Sequence, residues 1–297
     1  MRIVVSGASG LIGTSLVNAV RADGHEVVRL VRREPGASDE VRWNPAAHDL
    51  APDVVSGADA VVHLAGAGVG DRPWTSGYKR TLIDSRIDGT TTIATAVARA
   101  EKPPKVLVSA SAVGWYGDRG DQVVREDEPA GAGFLADLCR TWEGATAPAE
   151  EAGVRVAHIR SGLVLARSGG LLGRIKPLFA LGLGGKLGSG QQYWPWISLR
   201  DEVAAIQFVL ENDGVRGPVN LTGPEPATNA EFTAELARQL HRPAVVPVPA
   251  FALRAALWGF ADEGILAGQR AVPSVLLDHG FTFTDPTLDS ALRYALG

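Results

Sequence analysis

The stretch VVSGASGLIGTSLV, residues 4–17, constrains the fold more than any other part of the chain. A short β-branched run leads into glycines at 7, 10 and 13, and apolar residues then recur at helical spacing as far as Gly24. Glycine at such a junction permits a tight turn, lets backbone approach a pyrophosphate and allows close helix packing. The helix N-terminus that follows favours negative charge. The stretch therefore reads as strand, turn and helix with a dinucleotide cradle built from Gly7, Ser9, Gly10, Leu11, Ile12 and Gly13. Taken alone, three glycines also fit an ordinary strand-to-helix turn; the flanking strand and helix supply the context that the motif requires.

The same alternation continues downstream. HEVVRLVRR, ADAVVHLAG and KVLVSASA read as further strands, a long helix ends in TTIATAVARAEKPP, and a helix through FLADLCRTWEGATAPAEEAG precedes a strand VRVAHIRSGLVL. Strands alternating with helices predict an α/β fold with a doubly wound, Rossmann-type parallel sheet. The texture changes near residue 165, where SGGLLGRIKPLFALGLGGKLGSGQQYWPW, rich in glycine and aromatics, suggests loops and a short helix over a site. The expected organisation is a dinucleotide-binding domain over 1–165, to which 197–222 returns. A smaller C-terminal substrate lobe from 166–196 and 223–297 completes it.

About 20 residues past the glycine turn, the end of the second strand is where an acidic residue would hold the ribose hydroxyls of NAD. Arg32 and Arg33 stand there instead. A planar guanidinium matches a 2′-phosphate, so NADP(H) is preferred and NAD(H) is the alternative. Two arginines on an exposed turn are also compatible with simple solvation. Leu64, Ala65 and Gly66 of HLAG are expected to pass the cofactor with their backbone, and His63 reads as structural.

Lys and Arg number 29 against 33 Asp and Glu, a formal net charge of −4 without a basic block, which argues against nucleic acid and anionic membrane surfaces. The apolar run at the N-terminus is too short for a signal-peptide core or a membrane span, so a cytoplasmic protein is expected. One cysteine, Cys139, excludes an internal disulfide, and no cysteine cluster or close histidine pair suggests a metal. The expected partner is a small-molecule substrate; the oligomeric state stays open.

GASGLIG, HLAG at 63–66, VSASAVGWYG at 108–117 and WISLRDEV at 196–203 together resemble the extended short-chain dehydrogenase/reductases. FLADLCRTWEGA, RSGLVLARSGGLL, GLGGKLGSGQQYWPWI and the tail GQRAVPSVLLDHGFTFTDPTLDSAL resemble one atypical branch, labelled as nucleoside-diphosphate-sugar epimerases or, in an older usage, as cell-division inhibitors. The resemblance spans almost the whole chain. It implies a Rossmann domain carrying NADP or NAD and a serine, tyrosine and lysine that do acid–base work beside hydride transfer, commonly with an asparagine.

Carried onto this sequence, the resemblance places the serine at Ser111, with Ser109 as fallback and a second candidate contact to the cofactor. The tyrosine position falls on Leu135 and the lysine position on Cys139, taking Glu143 as the acidic residue one turn later; the asparagine position falls on Arg86. Ser198 stands where the branch commonly carries a histidine. Leu135 and Cys139 have neither the phenol nor the amine of the usual pair. Cys139 reads as core, or as a reactive thiol if Arg86 supplies a positive setting. Arg86 reads as an anchor for a phosphate or carboxylate, or as a surface ion pair. Tyr116 would replace the missing phenol or merely line a pocket; Arg160 is implied near the nicotinamide. Trp115, Tyr193, Trp194 and Trp196 suggest an aromatic cleft or the core of the small lobe.

Two functions fit. One is an NADP(H)-dependent oxidoreductase or epimerase acting on a small carbonyl or hydroxyl compound, with Ser111 polarising the substrate carbonyl; a sugar nucleotide would require a second anion subsite, such as Arg86 or Arg174 with Lys176. The other is a cofactor-binding sensor without turnover, which the loss of the tyrosine and lysine favours.

Overall fold

Ile3, Val4 and Val5 are wholly buried, as expected of a strand covered on both faces of a parallel sheet. The computed structural model describes residues 1–297. In chain order, the first half contains β1 (Arg2–Ser6), α1 (Leu11–Ala22), β2 (Glu26–Val31), β3 (Glu40–Arg42), β4 (Ala60–His63), α2 (Ser76–Ala98), β5 (Val106–Ala112) and β6 (Val123–Val124). Next come α3 (Phe134–Gly144), α4 (Ala147–Glu151), β7 (Arg155–Ser161), β8 (Leu163–Leu165), α5 (Gly170–Ala180), β9 (Tyr193–Trp194), β10 (Trp196–Ser198) and α6 (Leu199–Glu211). The chain ends with β11 (Gly217–Leu221), β12 (Ala227–Thr228), α7 (Asn229–Leu240), α8 (Ala250–Leu257), β13 (Arg270–Ala271), α9 (Ser274–Asp278) and α10 (Leu288–Leu296).

Seven strands form one parallel sheet in the order β11-β7-β5-β4-β1-β2-β3. The sheet is the Rossmann-type α/β arrangement that the strand and helix alternation predicts. The order reverses at β1, which pairs with β2 on one side and β4 on the other. In such sheets ligands bind outside the carboxyl ends of the strands at this reversal. The register aligns Ser6 with His63, and His63 with Ser109, across three strand ends.

The chain divides into two compact units. The first comprises Met1–Ser111, Leu138–Ile159 and Val203–Val219; the second comprises Ala112–Asp137, Arg160–Glu202 and Asn220–Gly297. Residues 112–137 thus cluster with the second unit, inside the 1–165 span expected for a single domain. The cause is a long-range pairing: β6 runs parallel to β13, and Val113, Tyr116 and Val124 bury themselves with Ala271. The core of the first unit includes Val4, Val28, Trp43, Val61, Ile93, Leu107 and Val156. That of the second includes Leu172, Trp194, Trp196, Phe232, Leu236 and Leu292.

Two elements read as continuous are divided. The VRVAHIRSGLVL strand stops at Ser161: the Gly162 amide still donates to the Leu221 carbonyl, whereas that of Leu163 donates to Pro195, and β8 pairs with β10. The helix beginning at Phe134 ends at Gly144, and α4 restarts with Pro148 in its first turn, where a missing amide proton is tolerated. No helix is long and apolar enough to cross a membrane.

Candidate functional site

The glycine turn sits at the carboxyl end of β1, and two of its glycines, Gly7 and Gly13, leave no room for a side chain. Gly7 adopts φ +70°, and a Cβ there would lie 2.7 Å from the Leu64 carbonyl carbon and 2.8 Å from the Ala65 amide nitrogen. The HLAG backbone therefore closes directly on the turn. A Cβ on Gly13 would stand 2.1 Å from the Gly7 oxygen. Gly10 precedes α1 as its N-cap without any side-chain cap, and Ser9 and Gly10 are exposed. Leu11 and Ile12 open the helix half-buried. Uncapped amides at a helix start carry partial positive charge and can hold an anion.

Beyond β2, the two arginines have different surroundings. Arg33 is engaged by Glu40, with Nη1 and Nη2 donating to the carboxylate at 2.7 and 2.6 Å. That bond and the Gly36 amide hold the Glu40 carboxyl down at about 2. Arg29 also reaches Glu40, at 3.2 Å, while pairing with Asp39. Arg32 is exposed and forms none of these bonds, so it is the guanidinium available to a ligand. Glu40 lies on β3, beyond the end of the second strand, and no local sequence pattern marks it.

At the adjoining strand ends polar side chains are buried. His63 Nδ1 and Ser6 Oγ are 2.6 Å apart, while His63 Nε2 and Ser109 Oγ have no partner. Burial, reinforced by the Arg86 charge, pushes the His63 imidazole down to about 3, so it stays neutral. Its ring packs edge-on to Trp43, in keeping with a structural role. Arg86, on α2, is 8% exposed and stacks over Trp142 at 4.8 Å. It donates to the Ala67 and Leu82 carbonyls and its guanidinium flanks Gly66. No carboxylate pairs with it, and burial lowers its pKa while Cys139 and Tyr78 oppose that shift. Cys139 is itself buried, within electrostatic reach of this cation.

Ser111, one residue from the end of β5, donates its hydroxyl proton to Glu143 Oε1 at 2.6 Å. The sequence marks Glu143 only as a landmark on the Leu135 and Cys139 helix face. Its contact with a residue 32 positions away carries no local signal.

Within the second unit, Tyr116 and Arg160 lie in the interior. Tyr116 is 0% and Arg160 2% exposed. The Tyr116 hydroxyl donates to Asn220 Oδ1 at 2.7 Å and accepts from Arg160 Nη1 at 3.1 Å. Burial pushes the phenol up to about 12, so it keeps its proton. Arg160 also donates to the Glu126 carbonyl and lies 4.0 Å over Trp115. Glu126 accepts from the Asn220 and Val275 amides, and burial raises its carboxyl pKa. Trp194 and Trp196 are core residues, and Tyr193 stacks on Arg270; the aromatic segment thus supplies packing. A cavity of about 320 Å³ in this unit is lined by Gly114, Asp118, Leu135, Arg254, Glu263 and Leu266, among others. Glu263 accepts the Leu135 amide proton there at 2.7 Å.

The sheet order and the glycine turn define a Rossmann-type, extended short-chain dehydrogenase/reductase architecture. Residues 3–137 match the NAD dependent epimerase/dehydratase family, and residues 248–295 match a domain of unknown function. An epimerase family protein of Mycobacterium leprae is 48% identical over 293 residues, covering 99% of this chain and 95% of that protein. The crystal structure of human epimerase family protein SDR39U1 with NADPH superposes with a TM-score of 0.92 at 34% identity, covering 100% of this chain and 99% of the human one. A nucleoside-diphosphate sugar epimerase structure from Corynebacterium glutamicum gives 0.84 at 36% identity, over 100% of this chain and 58% of that chain. The chain belongs to the NAD dependent epimerase/dehydratase family.

Proposed function

We propose that the protein binds NADP(H) through its first unit and acts as an oxidoreductase or epimerase-like enzyme on a small carbonyl or hydroxyl compound. The carrying observation is the turn at Gly7–Gly13, where Gly7 and Gly13 admit no side chain and the helix start is uncapped and exposed at Ser9 and Gly10. Backbone of this kind fits a pyrophosphate. Arg32, exposed and unpaired beyond β2, fits a 2′-phosphate and favours NADP(H) over NAD(H), and the NADPH in the human relative supports the same preference. Arg86 adds a buried cation without a carboxylate partner, a group that gains from an anion or a polar ligand nearby. When bound, the nicotinamide supplies a hydride donor or acceptor.

We assign the contact with a substrate oxygen to Ser111, a reading supported by its position near the carboxyl end of β5. A second reading, a cofactor-holding sensor, draws on Leu135 and Cys139, which offer no acid–base group in place of a tyrosine and lysine. Fluorescence titration with NADPH, followed by NADPH oxidation with a panel of aldehydes and ketones, separates the two. Binding with turnover supports the enzyme; binding without any turnover supports the sensor; absence of binding overturns both.

A further inference from the structure

The Ser111–Glu143 bond fixes which way protons can move at the end of β5. Both residues are buried, 5% and 8% exposed, and the bond is 2.6 Å, in the short range of charge-assisted O–H···O⁻ bonds. The Ser111 hydroxyl proton is directed at Glu143 Oε1, which accepts it. The serine oxygen then has only lone pairs to offer a ligand. A substrate hydroxyl that meets Ser111 must therefore act as the donor.

We propose that Ser111 and Glu143 form a two-step proton relay that takes the acid–base role for which α3 provides neither a tyrosine nor a lysine. As a substrate hydroxyl is oxidised, its proton passes to Ser111 Oγ while the serine proton passes to Glu143 Oε1. One O–H bond breaks at the substrate, one forms at the carboxylate, and the serine ends as it began. In the opposite direction, protonated Glu143 returns a proton to Ser111 as Ser111 protonates the substrate oxygen. The relay moves protons only, and it rests on the oxidoreductase reading above. Ser111 is the catalytic residue, and Glu143, acting through it, is a positioning and proton-storing residue.

The backbone at the end of α3 is held by bonds of its own. The end of α3 is already tied by Thr146, whose Oγ1 donates to the Glu143 backbone carbonyl at 2.7 Å and lies 2.9 Å from His158 Nε2. Those bonds do not use the Glu143 side chain. Ser111 also continues the face of β5 that carries Ser109, since alternate residues share a side of a strand. It stands nearer the carboxyl end, where ligands of parallel sheets bind.

The test uses the full chain with Glu143→Gln, Glu143→Asp and Ser111→Ala. In protein without nucleotide, infrared difference spectra assign the Glu143 carboxylate band by its loss in Glu143→Gln. The relay requires that band to shift in Ser111→Ala. With NADPH and the carbonyl panel, Glu143→Gln should lower kcat on the order of 100-fold with KM within about threefold, and Glu143→Asp should restore part of kcat. An unmoved band, a kcat in Glu143→Gln within about threefold of wild type, or NADPH binding with no turnover of any panel member overturns the relay. NADPH affinity is titrated separately for each protein. Loss of binding in the wild type would defeat the functional reading, while the infrared arm would still judge the Ser111–Glu143 bond.

Discussion

Glu202 should act as a pH-dependent stability liability that a single amide substitution removes. It lies in the first turn of α6, 0% exposed, with Oε1 accepting from Ser161 Oγ at 2.6 Å and Oε2 lacking any partner. Burial outweighs the serine bond and pushes the carboxyl up to about 8 from 4.5. A raised acid favours the folded state fully below its unfolded pKa, and that contribution is lost as pH rises through the folded value. The window therefore runs from 4.5 to about 8. Each pH unit inside it is worth about 1.4 kcal/mol, so the group costs about 3 kcal/mol at pH 7 and about 5 kcal/mol above pH 8. Glu202→Gln keeps the oxygen that Ser161 needs and removes the titration. Its amide adds unpartnered donors costing about 1–3 kcal/mol, but that cost does not vary with pH. Urea denaturation of both proteins at about pH 5.5, 7 and 8 reads the difference. The wild type should lose about 3 kcal/mol relative to the variant across that range. Parallel stability curves would refute the reasoning, because they would mean that Glu202 is ionised, or solvated, in the folded protein.

Other substitutions probe separate parts of the account. Gly13→Ala drives a Cβ to 2.1 Å from the Gly7 carbonyl oxygen and 2.9 Å from the Ala8 Cα, both backbone atoms. It should weaken NADPH binding by tenfold or more in a fluorescence titration and cost about 1–3 kcal/mol of stability, the usual cost of overpacking. Tyr116→Phe removes a hydroxyl that bonds Asn220 and Arg160. It should cost about 1–3 kcal/mol in denaturation and leave NADPH affinity within about twofold. If it instead abolishes turnover at unchanged stability, Tyr116 is a proton donor after all.

The fold was legible where the signal is local. The glycines at 7, 10 and 13 between a buried strand and an amphipathic helix specify the β1–α1 turn, and the apolar runs ending in His63 and Ala112 specify central strands. What the sequence hid depends on contacts between distant residues. Glu40 claims Arg33 from seven positions away and leaves Arg32 as the available cation. Ser111 meets Glu143 across 32 positions, and Tyr116 meets Asn220 across 104. Tyr116 lies just past Ser111 in the sequence and so reads as near the site, whereas it is buried with Ala271 and bonded to Asn220, both distant in sequence. For the same reason the aromatic run ending in Trp196 resembled a cleft wall: helical spacing and composition do not distinguish a pocket from a core, and Phe232 and Leu292 decide the matter.

The most direct test of the central claim compares NADPH with NADH by fluorescence titration of the purified protein, beside Arg32→Ala and Arg33→Ala. NADPH should bind more tightly than NADH. Arg32→Ala should reduce the preference by about tenfold, the usual scale for a lost charge-assisted contact. Arg33, held by Glu40, should matter much less. Equal affinity for the two nucleotides would remove the 2′-phosphate argument, and binding of neither would contradict the cofactor site at Gly7–Gly13 itself.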